Sequence, residues 1–199
     1  MLMNNFSDTN FEAGIDEAGR GSLAGPITAA AVILPNNYRN KALKDSKKLS
    51  EKKRMELKVI IENECVDFAV FSVPSSTIDK INILNSTIRA MHGALDNLKT
   101  TPNYIIIDGN RFKKFKNINY KCIVKGDNKF QNIAAASILA KTYRDLFMIE
   151  QHKRFPYFGW NKNKGYGTKF HIKNIYKYGL TKLHRRSFII KKSQIKLEL

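Results

Sequence analysis

The chain has 199 residues, enough for one domain with a substantial core, and its 43% hydrophobic content excludes a chain disordered throughout. Against 17 Asp and Glu stand 35 Lys and Arg, a formal net charge of +18 whose self-repulsion a polyanion would relieve, which points to nucleic acid. The opening MLMNNFSDTN lacks a secretion signal and the longest apolar run, 27–34, is too short to cross a bilayer, so a cytoplasmic protein is expected.

Strands are expected over 11–16 and 27–34, joined by the glycine-rich stretch GIDEAGRGSLAGP at 14–26. Ser50 is placed to cap a helix reaching about 64, with Met55, Leu57, Ile60 and Ile61 as its apolar positions. VDFAVFSV at 66–73 reads as a strand rich in β-formers. In the helix expected over 83–98, Leu84, Ile88, Met91 and Leu95 recur at three- and four-residue spacing. YIIID at 104–108 is a short buried strand ending in a carboxylate before Gly109, and a further strand is expected over 120–124.

A long helix over about 129–152 begins with alanine-rich sequence, where Ala134, Ala135 and Ala136 are small enough to lie close on a sheet. The aromatic, lysine-rich, glycine-punctuated 155–167 reads as a functional loop, followed by a helix over about 168–178 and a basic tail. With no repeat or linker in view, the expectation is one α/β domain over 1–199: a core over about 10–155, a substrate-contacting helical segment over about 156–190, and a tail over 191–199. Cys65 and Cys122 sit among apolar residues and are expected to be buried structural thiols in a reducing compartment.

Carboxylates stand out where apolar, strand-like segments meet glycine or polar residues: Asp16 with Glu17, Asp108 in IIIDGN, and Asp127 in VKGDNKF. Strand ends in an α/β sheet converge on one edge. Clustered carboxylates repel, and a divalent cation among them recovers that cost. Oxygen donors suit Mg²⁺ or Mn²⁺, and no Cys/His spacing of a zinc site is present. Two ions about 3.5–4 Å apart can drive phosphodiester hydrolysis without a side-chain nucleophile. Asp16 and Glu17 would point to opposite faces of a regular strand, so sharing one site requires the strand to end or twist there, which Gly19 and Gly21 permit.

These segments resemble the ribonuclease HII family, the bacterial type 2 ribonucleases H, across 14–188. The carriers are GIDEAGRG at 14–21, DSKKLS at 45–50, IDGN at 107–110, KGD at 125–127, IAAASILAKTYRD at 133–145, NKGYGTKFH at 163–171 and LHRRSF at 183–188. The resemblance implies an RNase H-like fold around a mixed sheet flanked by helices, with Asp16, Glu17, Asp108 and Asp127 as catalytic metal ligands. It implies endonucleolytic cleavage of the RNA strand of RNA–DNA hybrids, leaving 5′-phosphate and 3′-hydroxyl ends. It also implies nicking of DNA 5′ to a single embedded ribonucleotide.

The family's Gly-Arg-Gly segment falls on Gly19, Arg20 and Gly21, and its junction-sensing tyrosine on Tyr166. Backbone without a Cβ can close around the 2′-hydroxyl that marks RNA, and Arg20 can fork onto a phosphate. Tyr166 can lay its ring against a sugar that lacks the hydroxyl. Lys47, Lys48, Lys141, Lys164, Lys169, His171, Arg185 and Arg186 are candidates for phosphate contacts, with Ser46 and Ser137 adding hydrogen bonds. Asp45 and Asp145 are expected to organise nearby lysines or loops, and His92 and His152 to be structural.

The working form is expected to be a monomer. In the last six residues, 194–199, Gln194, Ile195, Leu197 and Leu199 resemble the short peptides that bind the bacterial sliding clamp, which makes the clamp a candidate partner. Two other readings compete: a resolvase or integrase core on the same fold, and a basic ribosomal or chaperone-like RNA binder. The first has no use for a 2′-hydroxyl, and the second leaves the carboxylates unexplained.

Overall fold

A computed structural model describes residues 2–43 and 46–188. A five-stranded sheet, in the order β3-β2-β1-β4-β5, is built from β1 (Glu12–Ala18), β2 (Ile27–Ile33), β3 (Asp67–Val73), β4 (Tyr104–Asp108) and β5 (Asn119–Ile123). The first three strands form an antiparallel meander, while β4 runs parallel to β1 and β5 parallel to β4. The sheet is therefore mixed, as expected. Its helices are α1 (Glu51–Glu64), α2 (Ser75–Asp96), α3 (Gln131–Arg154), the short α4 (Trp160–Asn163) and α5 (Lys169–Tyr178).

Burial on both faces explains the continuous apolar run of β2, every residue of which is buried. On one face Ala13, Ile15, Ala31, Ile33 and Ile107 pack with Ile78, Met91 and Leu95 of α2. On the other, Ala30 and Val32 meet Leu57 and Ile61 of α1 and the alanines of α3. Ala134, Ala135 and Ala136 are fully buried there. The close approach is mutual, because a Cβ on Gly14 of β1 would lie 2.2 Å from the Asn132 carbonyl carbon.

Ser50 caps α1 as expected, its hydroxyl accepting from the Lys53 N–H at 3.2 Å. The helix expected over 83–98 is the second half of α2, which starts at Ser75. Asn82 (φ 64°, ψ 169°) breaks the helix, and its side chain accepts from the Asn85 N–H at 3.1 Å, recapping the rest. The 155–167 segment is no open loop: it holds a 3₁₀ turn (Pro156–Phe158) and α4, and Trp160 and Phe158 form a small core with Ala24, Met148 and Ile175. Cys65 and Cys122 are half-buried and unpaired, and burial pushes the Cys65 thiol up to about 11. Among the described residues no helix is long and apolar enough to cross a membrane.

The C-terminal segment is tied to the glycine-rich stretch by backbone pairing. Leu23 and Ala24 N–H groups donate to the Gly165 carbonyl at 2.8 and 3.2 Å, and the Arg185 N–H donates to the Leu23 carbonyl at 2.8 Å. This places the 164–167 turn against the 19–26 loop at the end of β1.

Candidate active site

Because β1, β4 and β5 run in parallel, their C-terminal ends open on one edge of the sheet. The register pairs Ile15 with Ile107, so Asp16 and Asp108 follow next on neighbouring strands. Of the two ways their cooperation was expected to arise, an end or a twist of the strand, β1 does not take the first: it runs on to Ala18. The two carboxyls nonetheless share the edge. Burial and then repulsion from Glu17 and Asp108 hold Asp16 well above the usual carboxylate range. Burial also raises Glu17, with Arg20 and Lys47 pulling it down and Asp108 pushing it up.

Asp16 is steadied by hydrogen bonds from the Ser137 side chain and, at 2.7 Å, from the Glu17 N–H. Ser137 in turn meets Ser46, hydroxyl to hydroxyl, at 3.0 Å. One Asp108 oxygen accepts from the Gly126 N–H at 2.7 Å. Gly126 begins the 3₁₀ turn (Gly126–Asn128) that carries the buried Asp127, whose carboxylate accepts from the Asn128 side chain at 2.9 Å. The entry into that turn is left-handed at Lys125 (φ 56°), a conformation that sets the turn directly after β5.

Among the described residues no three His, Cys, Asp or Glu side chains stand already gathered as a metal-ligand set. The donor chemistry nonetheless fits a hard divalent cation. Asp16, Glu17 and Asp108 offer only oxygens, they repel one another, and two of them are reluctant to ionise in a buried setting. Such a cation would add positive charge to that of Arg20 and Lys47.

A cleft of about 410 Å³ opens beside the carboxyls, walled by Asp16, Glu17, Ala18, Gly19, Arg20, Gly21, Ser46, Lys47, Ser137, Lys141 and Tyr166. Arg20 is half exposed, 3.9 Å from Glu17. Gly19 has a left-handed backbone (φ 93°). Tyr166 is 37% exposed, and two cations approach its ring, Lys141 at 5.6 Å and Arg144 at 5.4 Å from the centroid. Lys141 is held by Asp145 at 2.7 Å, and Arg54 meets the same carboxylate at 3.5 Å.

Other expected contacts are placed elsewhere. Lys48 reaches Asn128 at 2.5 Å, beside the Asp127 turn. Lys169 and Arg186 are exposed outside the cleft wall, the Arg186 N–H donating to Asp79 at 3.0 Å. Lys164, His171 and Arg185, expected to touch phosphate, are buried instead. The Lys164 ammonium turns to Glu51 at 3.4 Å. With its proton on Nδ1, His171 donates to the Tyr166 carbonyl (2.9 Å) and accepts at Nε2 from Trp160 (3.0 Å) and His184 (3.1 Å). Arg185 donates to carbonyls of the 19–26 loop. Asp45 and the 194–199 peptide lie outside the described residues.

Sequence reasoning missed Arg144, which is fully buried and bonded to main-chain oxygens around the cleft. It stands in the TYRD end of the alanine-rich motif. Its only signal there is an arginine in line with a run of buried small residues.

A sequence profile of ribonuclease HII matches residues 13–191. The ribonuclease HII of Christiangramia forsetii is 55% identical over 98% of this chain and 100% of its own. That of Phocaeicola vulgatus is 50% identical over 100% and 99%. Among solved structures, ribonuclease H2 of Pyrococcus horikoshii superposes with a TM-score of 0.77 at 24% identity, over 89% of this chain and 93% of that one. The ribonuclease HII of Archaeoglobus fulgidus, solved in complex with PCNA, gives 0.76 at 24% identity over 91% and 96%. Bst-RNase HIII in complex with Mn²⁺ gives 0.68 at 19% identity over 89% and 67%. At these identities the structural likeness establishes an RNase H-like fold.

Proposed function

The chain belongs to the ribonuclease HII family, and from that premise we propose how its cleft selects and cuts its substrate. It is a ribonuclease H, a metal-dependent endonuclease that cleaves the RNA of RNA–DNA hybrids. In our reading Asp16, Glu17, Asp108 and Asp127 hold two divalent ions, Mg²⁺ or Mn²⁺. When bound, these ions activate the attacking water and neutralise the charge that develops on the leaving oxygen. The observation that carries this reading is the mutually repelling trio Asp16, Glu17 and Asp108 at one sheet edge, opening on a cleft walled by Arg20, Lys47 and Tyr166.

The chain's own residues supply position and selectivity. Ser46 and Ser137 fix the Asp16 carboxyl. Backbone of the 19–21 turn faces the 2′-hydroxyl of the ribonucleotide, which can both donate and accept. Arg20, Lys47 and Lys141 engage the flanking phosphates, while Lys48, Lys169 and Arg186 are offered to the duplex further out. Lys164, His171 and Arg185 leave the substrate-contacting set because they are buried. Tyr166 lies against the sugar that lacks a 2′-hydroxyl, so the enzyme nicks 5′ to a single embedded ribonucleotide and leaves 5′-phosphate and 3′-hydroxyl ends.

We read the enzyme as a cytoplasmic monomer working as one catalytic domain, with Gln194, Ile195, Leu197 and Leu199 docking on the replication clamp. The PCNA complex of the Archaeoglobus fulgidus neighbour supports a clamp partner. A clamp pull-down with the full chain against one ending at Ser193 tests this, and equal retention overturns it.

A cleavage map on duplexes with one or four ribonucleotides, with and without EDTA, tests the main reading. One nick 5′ to the lone ribonucleotide, lost in EDTA, is expected. Equal cutting of an all-DNA duplex would instead favour a resolvase-like enzyme.

A further inference from the structure

Two buried arginines brace the cleft, Arg185 within the 19–26 loop and Arg144 from that loop across to the side that carries Tyr166. Arg144 and Arg185 are 0% and 2% exposed, and among the described residues their guanidinium hydrogen bonds go to main-chain carbonyls. Arg185 donates to the oxygens of Gly19 (2.7 Å) and Arg20 (2.9 Å), and also to those of Gly25 and Pro26 (3.0 and 3.1 Å). It thereby closes the 19–26 loop on itself. Arg144 shares the Pro26 oxygen (2.9 Å), adds that of Ala24 (3.1 Å), and reaches across to Lys164 (2.9 Å) while its charge sits over the Tyr166 ring.

The sequence around them is shaped to admit these groups. A Cβ on Gly19 would lie 2.0 Å from Arg144 Nε, so the glycine there is demanded by the arginine as well as by its left-handed backbone. A planar fork of five fixed donors can serve carbonyls spread along a loop. A lysine ammonium keeps the charge and loses that geometry. Burying a charge this deeply is costly unless it is fully bonded, and the carbonyl dipoles meet that need.

We propose that Arg144 and Arg185 are positioning residues for ribose discrimination, coupling the 19–21 turn to Tyr166 so that both walls of the cleft act as one rigid jaw. This rests on the reading above in which those walls bracket the junction between ribonucleotide and deoxynucleotide.

The test measures kcat and KM on a duplex with one ribonucleotide and on a continuous hybrid. It uses the wild type, Arg144→Lys, Arg185→Lys, Tyr166→Ala, and Arg144→Lys combined with Tyr166→Ala. Each lysine variant is expected to lower the ratio of lone-ribonucleotide to hybrid cleavage about tenfold, mainly through kcat, the scale on which small misplacements act. Adding Arg144→Lys to Tyr166→Ala is expected to lower it no further. Equal loss on both substrates, or multiplying effects in the double variant, overturns the proposal.

If the wild type ignores the lone ribonucleotide, or Tyr166→Ala leaves the ratio unmoved, the junction-sensing reading itself has failed. Hydrogen exchange on the wild type needs no variant that might misfold. The Ser22 and Tyr166 amides should open at one common rate, and well-separated rates contradict a single jaw.

Discussion

The carboxylate edge and the buried pair Arg144 and Arg185 behind Tyr166, an arginine clamp, are contrasting settings for buried charge. At the edge, Asp16 and Glu17 sit where burial and repulsion disfavour their ionised forms, a demand that a divalent cation would answer in the proposed reading. In the clamp, Arg144 and Arg185 are as deeply buried, and burial and then repulsion from Arg144 pull Arg185 down to about 9, yet bonds to carbonyl oxygens accompany the charge and leave it in place at neutral pH. The first region stores an electrostatic demand that chemistry can use. The second is finished on folding and contributes shape. In the proposed reading, catalysis and selectivity fall to separable parts of one cleft.

Breaking the edge should give the largest effect. Asp108→Asn keeps the side-chain size and removes a charge, so cleavage should fall by on the order of 10²–10³-fold or more with hybrid affinity largely kept. Single-turnover rates and a binding titration check both halves, and wild-type-like turnover would refute a ligand role. Tyr166→Ala addresses the other region: cutting at a lone ribonucleotide should fall about tenfold more than cutting of a long hybrid, and matched losses would count against junction sensing.

Carboxyls whose folded pKa is raised bind more protons in the folded state than in the unfolded one, so metal-free stability should decline as pH rises from the ordinary carboxylate range through the raised values of Asp16 and Glu17. Mg²⁺ at about a hundred times its Kd should add about 2.7 kcal/mol at neutral pH, and less to Asp16→Asn. Thermal melts in EDTA and in Mg²⁺ read this directly; a metal-free stability that climbs with pH over that window would contradict it.

The C-terminal segment that carries Arg185 should respond to acid with the opposite sign. Burial, then the neighbouring His171, pushes His184 down to about 4, so its neutral form stabilises the fold above about 6.5, the unfolded value. That stability is lost as pH falls from about 6.5 to about 4, where the unfolded chain binds a proton that the folded one refuses. His184→Gln should flatten the Tm profile in that window, and an unchanged slope would place the acid sensitivity elsewhere.

Much of the edge was legible because its signals are local. Tyr104–Asp108 is an apolar strand ending in a charge, Ser50 a cap before an amphipathic run, and Ala134 to Ala136 a surface fit only for close packing. The clamp was illegible because its determinants are distant. Lys164, His171 and Arg185 look like solvent-facing basic residues, since polarity in a sequence does not report burial. Their partners Glu51, Trp160 and the Gly19 carbonyl are set by the fold. Arg144 was passed over for the same reason. The first half of α2 was missed because Asn82 interrupts the helical period that the second half obeys.

Calorimetric titration of Mn²⁺ into the wild type and into Asp108→Asn, each with a hybrid carrying a non-cleavable linkage at the scissile position, addresses the shared carboxylate site most directly. Two ions binding to the wild type, and fewer or far weaker ones to the variant, is the predicted result. Identical stoichiometry and affinity in both proteins would contradict it.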